Sequence, residues 1–222
     1  MYIIAKLLTF TGINKMNEHE YAIDNKSNND GKLLNYVLNN NVFIFDSLNP
    51  NSCAKLIGDL TVLVQLAHEN KDEEKKSINF FFNSPGGNIS ILLSIQYLMD
   101  MAKGYNILIP TNVCGRASSA ASLLAIQGTP GHRMMGEYTQ HFVHFGQTSQ
   151  AVSKESEIAK TTAQFKRHRD IIKKIYLRHT KIKENQLNKL IEDEMGYLDA
   201  NACLRLGFCD SILLSDGKTK TR

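Results

Sequence analysis

The amino-acid sequence predicts an α/β fold in which helices cover a mainly parallel sheet. Short apolar runs typical of strands alternate with segments of helical periodicity over about residues 42–125. Two turns rich in glycine or other small residues, 83–87 and 115–121, follow such runs. Because ligand sites in parallel sheets lie at the carboxyl ends of strands, both turns are candidate site positions.

The first half of the chain is expected to alternate three strands with three helices. A strand is predicted at 42–45, and the helix after it has Asn51 or Ser52 as its predicted N-cap. Apolar residues recur there at three- and four-residue steps and form one buried face: Cys53, Leu56, Ile57, Leu60, Leu63, Val64 and Ala67. The remaining predicted elements are a strand at 78–82, a helix at about 89–103, a short strand at 107–109 and a helix from Ala117.

The second half is predicted to be mostly helical. Residues 141–144 are expected to end a strand. A long, highly charged helix is predicted at 152–179, and its narrow apolar stripe suggests that it projects from the main body. Two shorter helices within 183–206 and a strand at 211–214 complete the predicted fold.

Composition limits the classes of function. With 42% hydrophobic residues in a chain of 222, a core can be buried, and a net charge of +4 spread along the chain does not indicate nucleic-acid binding. No stretch approaches the roughly 20 apolar residues that span a bilayer, so no membrane partner is expected. The cysteines lack metal-ligand spacing and disulfide-scaffold density, so we expect no metal and reduced, packed thiols at Cys53, Cys114, Cys203 and Cys209.

The chain is expected to divide into three segments. Residues 14–31 are polar and rich in Asn, Lys and acidic side chains, which predicts a flexible N-terminal arm over 1–30. A single domain is expected over 31–215, followed by a C-terminal tail at 216–222.

Two polar residues in the second turn and beyond it are candidates for chemistry. Ser119 lies among small residues between a predicted strand and helix, a position that presents a hydroxyl near polarised helix N–H groups, although serine is also a common helix cap. A nucleophilic serine needs a base, and His144 at a predicted strand end can serve as one, or can equally be a packed histidine. The paired glycines Gly86 and Gly87 leave backbone N–H groups free for an oxyanion.

Three motifs resemble, in order and spacing, those of the proteolytic subunit of the Clp protease, ClpP. They are Asn83-Ser84-Pro85-Gly86-Gly87, Gly115-Arg116-Ala117-Ser118-Ser119 and Phe142-Val143-His144. The 25-residue interval from Ser119 to His144 fits the family without a gap, and the resemblance covers about residues 31–215. It implies a ClpP/crotonase-like fold, with a parallel sheet, βαβ crossover units and a projecting long helix.

The resemblance also implies an assembly and roles for residues. Subunits of this family form heptameric rings that stack through the long helix, here a homo-heptamer or a ring mixed with an active ClpP subunit. An AAA+ Clp ATPase contacts the ring near the N-terminal arm and delivers unfolded polypeptide, and no cofactor is implied. By resemblance, Ser119 is the nucleophile, His144 the base, and the N–H groups of Gly87 and Ala120 the oxyanion donors.

The orienting acid of the triad is ambiguous in this sequence. Alignment backward from Leu198-Asp199-Ala200 puts Met195 at the family's aspartate, whereas alignment forward from His179-Thr180 puts Glu194 there, with Asp193 adjacent. Phe145 also stands where active members commonly carry glutamine, and Ala120-Ala121 replaces the usual Met-Gly pair. Such departures resemble the catalytically silent relatives called ClpR.

The sequence therefore leaves three alternative functions. The first is a ClpR-like ring subunit with impaired or absent peptidase activity, and the second is an active serine endopeptidase that uses Glu194 or Asp193. The third is an acyl-CoA enzyme of the crotonase class, which shares the two-turn oxyanion architecture. An organelle stroma or matrix, in a plastid, apicoplast or mitochondrion, is the expected location.

Overall fold

The computed structural model describes residues 35–70, 76–145, 155–192 and 196–222. All of them belong to one of two units, Leu33–Arg222. The predicted arm over 1–30 lies outside the described residues.

The described residues contain nine strands in a single sheet. They are β1 Asn35–Leu38, β2 Asn41–Ile44, β3 Asn79–Ser84, β4 Thr111–Ser118, β5 Arg133–Gly136, β6 Gln140–Phe142, β7 Tyr197–Asp199, β8 Ser211–Leu213 and β9 Thr219–Thr221. The main order is β1-β2-β3-β4-β5-β8-β9, with β6 paired to β4 and β7 to β6. The five pairs among β2, β3, β4, β5, β6 and β8 are parallel, whereas β1, β7 and β9 add antiparallel strands. The predicted α/β fold with a mainly parallel sheet is confirmed.

Six helices are present in the described part of the chain. They are α1 Pro50–Glu69, α2 Ile89–Gly104, α3 Ala120–Ala125, α4 Glu155–His179, α5 Glu184–Glu192 and α6 Ala200–Leu206. From β2 to β5 the strands and helices alternate, which confirms the predicted crossover units. The predicted stripe on α1 is buried except for the half-buried Ile57. It packs with Phe80 and Phe82 of β3 in one hydrophobic core.

Some local predictions for the first half were wrong. The N-cap of α1 is Asn49, because Pro50 occupies the first helical position, where its missing N–H costs nothing. Ser52 is instead the third helical residue and completes a reciprocal capping box with Asn49.

The strand predicted at 107–109 is only an isolated bridge between Leu108 and Ser77. The true strand is β4, and the helix expected from Ala117 begins at Ala120. Alanine by itself favours helix, but pairing of Ala117 with Ser84 of β3 and His141 of β6 overrides that preference.

The long helix is exposed at one end and buried at the other. Ile158 is 51% exposed, whereas Ile172, Ile175 and Tyr176 are buried. The narrow stripe predicted from sequence therefore belongs to a helix whose C-terminal half docks on the core. The strand β9, within the predicted tail, was not expected; it pairs with β8.

Candidate active site

Three strand ends meet at the predicted site. β3 and β6 both pair in parallel with the C-terminal part of β4. Because parallel strands end at the same edge of a sheet, the glycine turn after β3, Ser119 after β4 and His144 after β6 lie at one edge. The structure thus brings together bends that are far apart in sequence.

Ser119 joins β4 to α3 in a strained backbone conformation. Its φ of 53° and ψ of −123° are rare for a non-glycine residue, and such strain costs about 1–3 kcal/mol. Its N–H donates to the carbonyl oxygen of Phe142 at 2.8 Å, while its side chain makes no capping hydrogen bond. Capping therefore does not explain a serine here. A strained strand-to-helix turn is typical of elbows that present a nucleophilic hydroxyl.

Gly86 packs directly under this turn. It has a φ of 87°, and a Cβ added there would lie 2.7 Å from Ser119 Cβ and 2.8 Å from the backbone nitrogen of Ala120. Any side chain at position 86 would displace the hydroxyl-bearing residue or its neighbouring amide. The first glycine of the turn is thus required by close approach of two backbones.

The expected oxyanion donors, the N–H groups of Gly87 and Ala120, belong to the two turns at this edge. Leu48 accepts from Asn88 N–H at 2.7 Å and donates to the Gly86 carbonyl at 2.8 Å. In such a parallel bridge the N–H of the intervening Gly87 points away from Leu48, toward the β4 side of β3. Ala120 begins α3, and N–H groups in a first helical turn have no intrahelical acceptor.

His144 follows β6 by two residues and is half-buried. Its ring contacts Phe142 at 5.2 Å between centroids, and burial lowers the pKa of its imidazole from the ordinary 6.5. A lowered pKa keeps the imidazole neutral near pH 7, as a general base requires. The next residue, Phe145, is held under the guanidinium of Arg169 on α4, 4.7 Å from the ring centroid.

The three candidates for the orienting group, Asp193, Glu194 and Met195, lie outside the described residues. The next described residue is Gly196, whose carbonyl accepts a hydrogen bond from the N–H of Val143 at 2.8 Å. In sequence, the candidates therefore directly precede a residue bonded to the neighbour of His144.

A buried polar cluster beside this edge was missed by the sequence analysis. Ser122 Oγ lies 2.8 Å from His141 Nδ1 and accepts from the Tyr176 hydroxyl at 3.2 Å. The three side chains are at most 1% exposed. Ser122 inside the apolar run of α3 was the available signal, but only the folded chain shows that it meets His141 and Tyr176.

The described residues offer little other chemistry. No group of three or more His, Cys, Asp or Glu side chains among them could hold a metal ion. The four cysteines are free; three are buried, but Cys114 is exposed, contrary to the expectation that it packs. None of the described helices has the length and hydropathy needed to cross a membrane.

Comparisons with known proteins agree with this architecture. A family model described as Clp protease matches residues 26–216. Among similar proteins, the ATP-dependent Clp protease proteolytic subunit of Mesostigma viride is 28% identical over 139 residues, covering 63% of this chain but only 56% of that protein. The subunit of Lactococcus lactis is 27% identical over 155 residues, covering 69% and 75%. Subunit 1 of Rhodopirellula baltica is 26% identical over 205 residues, covering 89% and 87%.

The family match spans far more than half of the chain, and the geometry of the three strand ends fits it. This chain belongs to the Clp protease family.

Proposed function

We propose that this chain is a ring-forming subunit of an ATP-dependent Clp protease complex, in which Ser119 is a nucleophile but peptidase activity is impaired. The observation that carries the proposal is the strained turn at Ser119, whose hydroxyl does not serve as a cap. Strain of this size persists only where the surroundings over-determine it, as Gly86 and the Phe142 carbonyl do here.

The proposed chemistry is acyl transfer from a peptide. Ser119 Oγ attacks the scissile carbonyl carbon while the His144 imidazole takes the hydroxyl proton, and the carbonyl oxygen becomes an oxyanion held by the N–H groups of Gly87 and Ala120. The imidazolium then gives its proton to the leaving amine, which departs as the peptide bond breaks. Water repeats the sequence on the acyl-enzyme and releases the new carboxylate.

The impairment comes from the orienting group. If Met195 occupies that place, its thioether cannot hold the imidazole as a carboxylate does, and the wrong tautomer competes. In the serine-protease template, loss of this group lowers turnover by about 10⁴-fold, while the remaining groups retain some catalysis.

A serine-directed fluorophosphonate and a fluorogenic peptide test the proposal together. We expect slow labelling of Ser119 and weak peptide hydrolysis, both abolished by Ser119→Ala. Absence of labelling in a folded ring would show that Ser119 is not a nucleophile. Hydrolysis that persists in Ser119→Ala would show that the peptidase activity does not depend on this residue, which would overturn the proposal.

A substitution at Met195 distinguishes an impaired subunit from a fully active peptidase. Met195→Asp should raise peptide hydrolysis by at least about tenfold, because a carboxylate would then be available to orient His144. Met195→Leu, which adds no carboxylate, is the matched control and should leave the rate unchanged. No gain from Met195→Asp would contradict the impairment proposal.

The second candidate is a fully active endopeptidase with Glu194 or Asp193 as the orienting acid. Two of the three candidate residues, Asp193 and Glu194, carry carboxylates, and the bond from Val143 N–H to the Gly196 carbonyl ties the residue that follows these candidates to the neighbour of His144. High hydrolysis that collapses in Glu194→Gln or Asp193→Asn, but not in Met195→Leu, would establish this alternative. The family assignment leaves no support for the acyl-CoA function.

Assembly and location complete the proposal. Large apolar side chains stand exposed on the subunit: Tyr97, Tyr138, Ile158 and Tyr197. A neighbour in a homo-heptamer or mixed ring, and an AAA+ ATPase that delivers unfolded polypeptide, would cover such surface. Native mass spectrometry of the chain alone and with an active sister subunit tests ring composition, and a full-length fluorescent fusion tests the organelle location.

A further inference from the structure

A chain of three buried polar side chains connects the elements that carry Ser119 and His144. Ser122 lies on α3, His141 in the middle of β6, and Tyr176 near the C-terminal end of α4. The two hydrogen bonds, His141 Nδ1 to Ser122 Oγ and Tyr176 hydroxyl to Ser122 Oγ, measure 2.8 and 3.2 Å. We call these residues the 122–141–176 cluster.

Each hydroxyl in the cluster has an acceptor for its proton. Tyr176 donates its hydroxyl proton to Ser122 Oγ, and Ser122 can donate its own proton to Nδ1 of His141 when that nitrogen accepts. The ring is neutral, since burial lowers the pKa of His141 to about 3. Phe208 packs against both outer rings, with centroids 5.4 Å from His141 and 5.6 Å from Tyr176.

Two members of the cluster lie three residues in sequence from a proposed reacting residue. Ser122 follows Ser119 by three residues, about one helical turn, and His141 precedes His144 by three residues. The backbone bond from Ser119 N–H to the Phe142 carbonyl continues the pairing of β4 with β6 and fixes the start of α3. The bond between Ser122 and His141 adds a side-chain contact between α3 and β6 about one helical turn further along.

Tyr176 brings the long helix α4 into this arrangement. Tyr176 is fully buried, and Arg169, two helical turns earlier on the same face, covers the ring of Phe145 beside His144. The same helix thus contacts the serine side and the histidine side of the site.

We propose that Ser122, His141 and Tyr176 are positioning residues that hold the hydroxyl of Ser119 and the imidazole of His144 in reactive register. The inference rests on the proposed function of those two residues. A contribution to fold stability does not explain why these three side chains are polar. Apolar side chains of similar shape would fill the same space without burying three polar groups.

The test compares two equally buried hydroxyls, one carried by α3 and one that donates to it. Ser122→Ala removes the central hydroxyl of the cluster, whereas Thr111→Val removes the hydroxyl that donates to the Ala125 carbonyl at 2.8 Å, at the far end of α3. Both variants should lose similar thermal stability. Ser122→Ala should slow fluorophosphonate labelling of Ser119 by about tenfold or more, and Thr111→Val should leave it within about twofold.

Tyr176→Phe provides a milder second variant, because it removes only the phenolic oxygen and keeps the ring against Phe208. It should also slow labelling more than Thr111→Val does. Equal labelling rates in all three variants would overturn the proposal.

A second readout does not require a reactive serine. With ¹³Cε1-labelled histidine, the NMR resonance of His144, assigned by His144→Gln, should shift in Ser122→Ala and stay in place in Thr111→Val. If the wild type is not labelled but this shift occurs, the nucleophile proposal fails, and the part of the inference that remains is that the cluster positions the imidazole of His144. If the wild type is labelled and no shift occurs, the positioning inference fails.

Discussion

At the scale of single residues, the site depends on backbone atoms as much as on side chains. Gly86 leaves room for the Ser119 turn, and the expected oxyanion donors, the N–H groups of Gly87 and Ala120, belong to the two turns that meet there. A substitution that adds one carbon at Gly86 is therefore expected to change the site without touching the serine.

Gly86→Ala should destabilise the fold and stop labelling of Ser119. The added Cβ would overlap Ser119 Cβ and the Ala120 nitrogen, and overpacking of this kind costs about 1–3 kcal/mol beyond the cost of a positive φ. Gly131→Ala is the matched control: Gly131 has a φ of 86°, nearly the same as Gly86, but no atom lies within 4 Å of its added Cβ. Urea denaturation and labelling measure the difference, and equal effects of the two variants would disprove the close-approach argument.

Histidines held neutral in the fold should make stability fall in acid. Burial, with nearby Lys103 and Arg178, lowers the pKa of His179 to about 4, below the ordinary 6.5. Between pH 6.5 and 4 the unfolded chain therefore binds a proton that the folded chain does not, and the free energy of unfolding decreases as pH falls. His179→Gln should flatten this decrease in urea titrations at several pH values, and a slope identical to that of the wild type would contradict the prediction.

At the scale of elements, Arg133 at the start of β5 ties several segments together. Its guanidinium donates to Asp210 oxygens at 2.6 and 2.8 Å, to the Ile126 carbonyl after α3 at 3.2 Å, and to the His179 carbonyl ending α4 at 2.7 Å. Burial would raise the pKa of Asp210, but the hydrogen bonds and charge of Arg133 hold it below the ordinary value. The ends of α3 and α4 are thereby attached to β5 and the start of β8.

Arg133→Met should cost about 3–5 kcal/mol, because it removes the guanidinium from two carbonyls and from a partly buried carboxylate, which keeps only backbone N–H donors. Lys55→Met provides the comparison, since the Lys55–Asp59 pair has side chains 75% and 34% exposed and should contribute less than about 1 kcal/mol. Chemical denaturation of both variants gives the values. A cost for Arg133→Met as small as for Lys55→Met would show that this attachment is not needed.

At the scale of the whole molecule, α4 has two different ends. Its C-terminal half is part of the core, while Ile158 near its start is half exposed on a strongly charged helix. We propose that another subunit covers this side chain, as would follow from the ring pairing through the long helix that the family resemblance implies.

Ile158→Asp should therefore weaken pairing of rings without unfolding the subunit. Light scattering after size exclusion should show a particle of about half the wild-type mass, because a charge at a buried apolar contact opposes association. Ala159→Asp, which adds the same charge at the next exposed position, is the control and should leave the mass unchanged. An unchanged mass for Ile158→Asp would remove this residue from the interface.

Much of this protein follows from its sequence alone, because the relevant signals are local. Apolar runs, helical periodicity and paired glycines sufficed for the α/β class, the bounds of α2, and the prediction that Gly86, Ser119 and His144 belong to one edge. The 25-residue interval between Ser119 and His144 likewise needs no coordinates.

Only the tertiary structure decided the features that depend on partners distant in sequence. Pairing of β4 with β3 and β6 extends that strand to Ser118 and forces the strained turn at Ser119, which small residues alone do not specify. Ser122, His141 and Tyr176 are unremarkable one by one, and they become a hydrogen-bonded cluster only when α3, β6 and α4 pack together. Periodicity reports which face of an element is apolar, whereas non-local pairing determines which polar atoms are buried against each other.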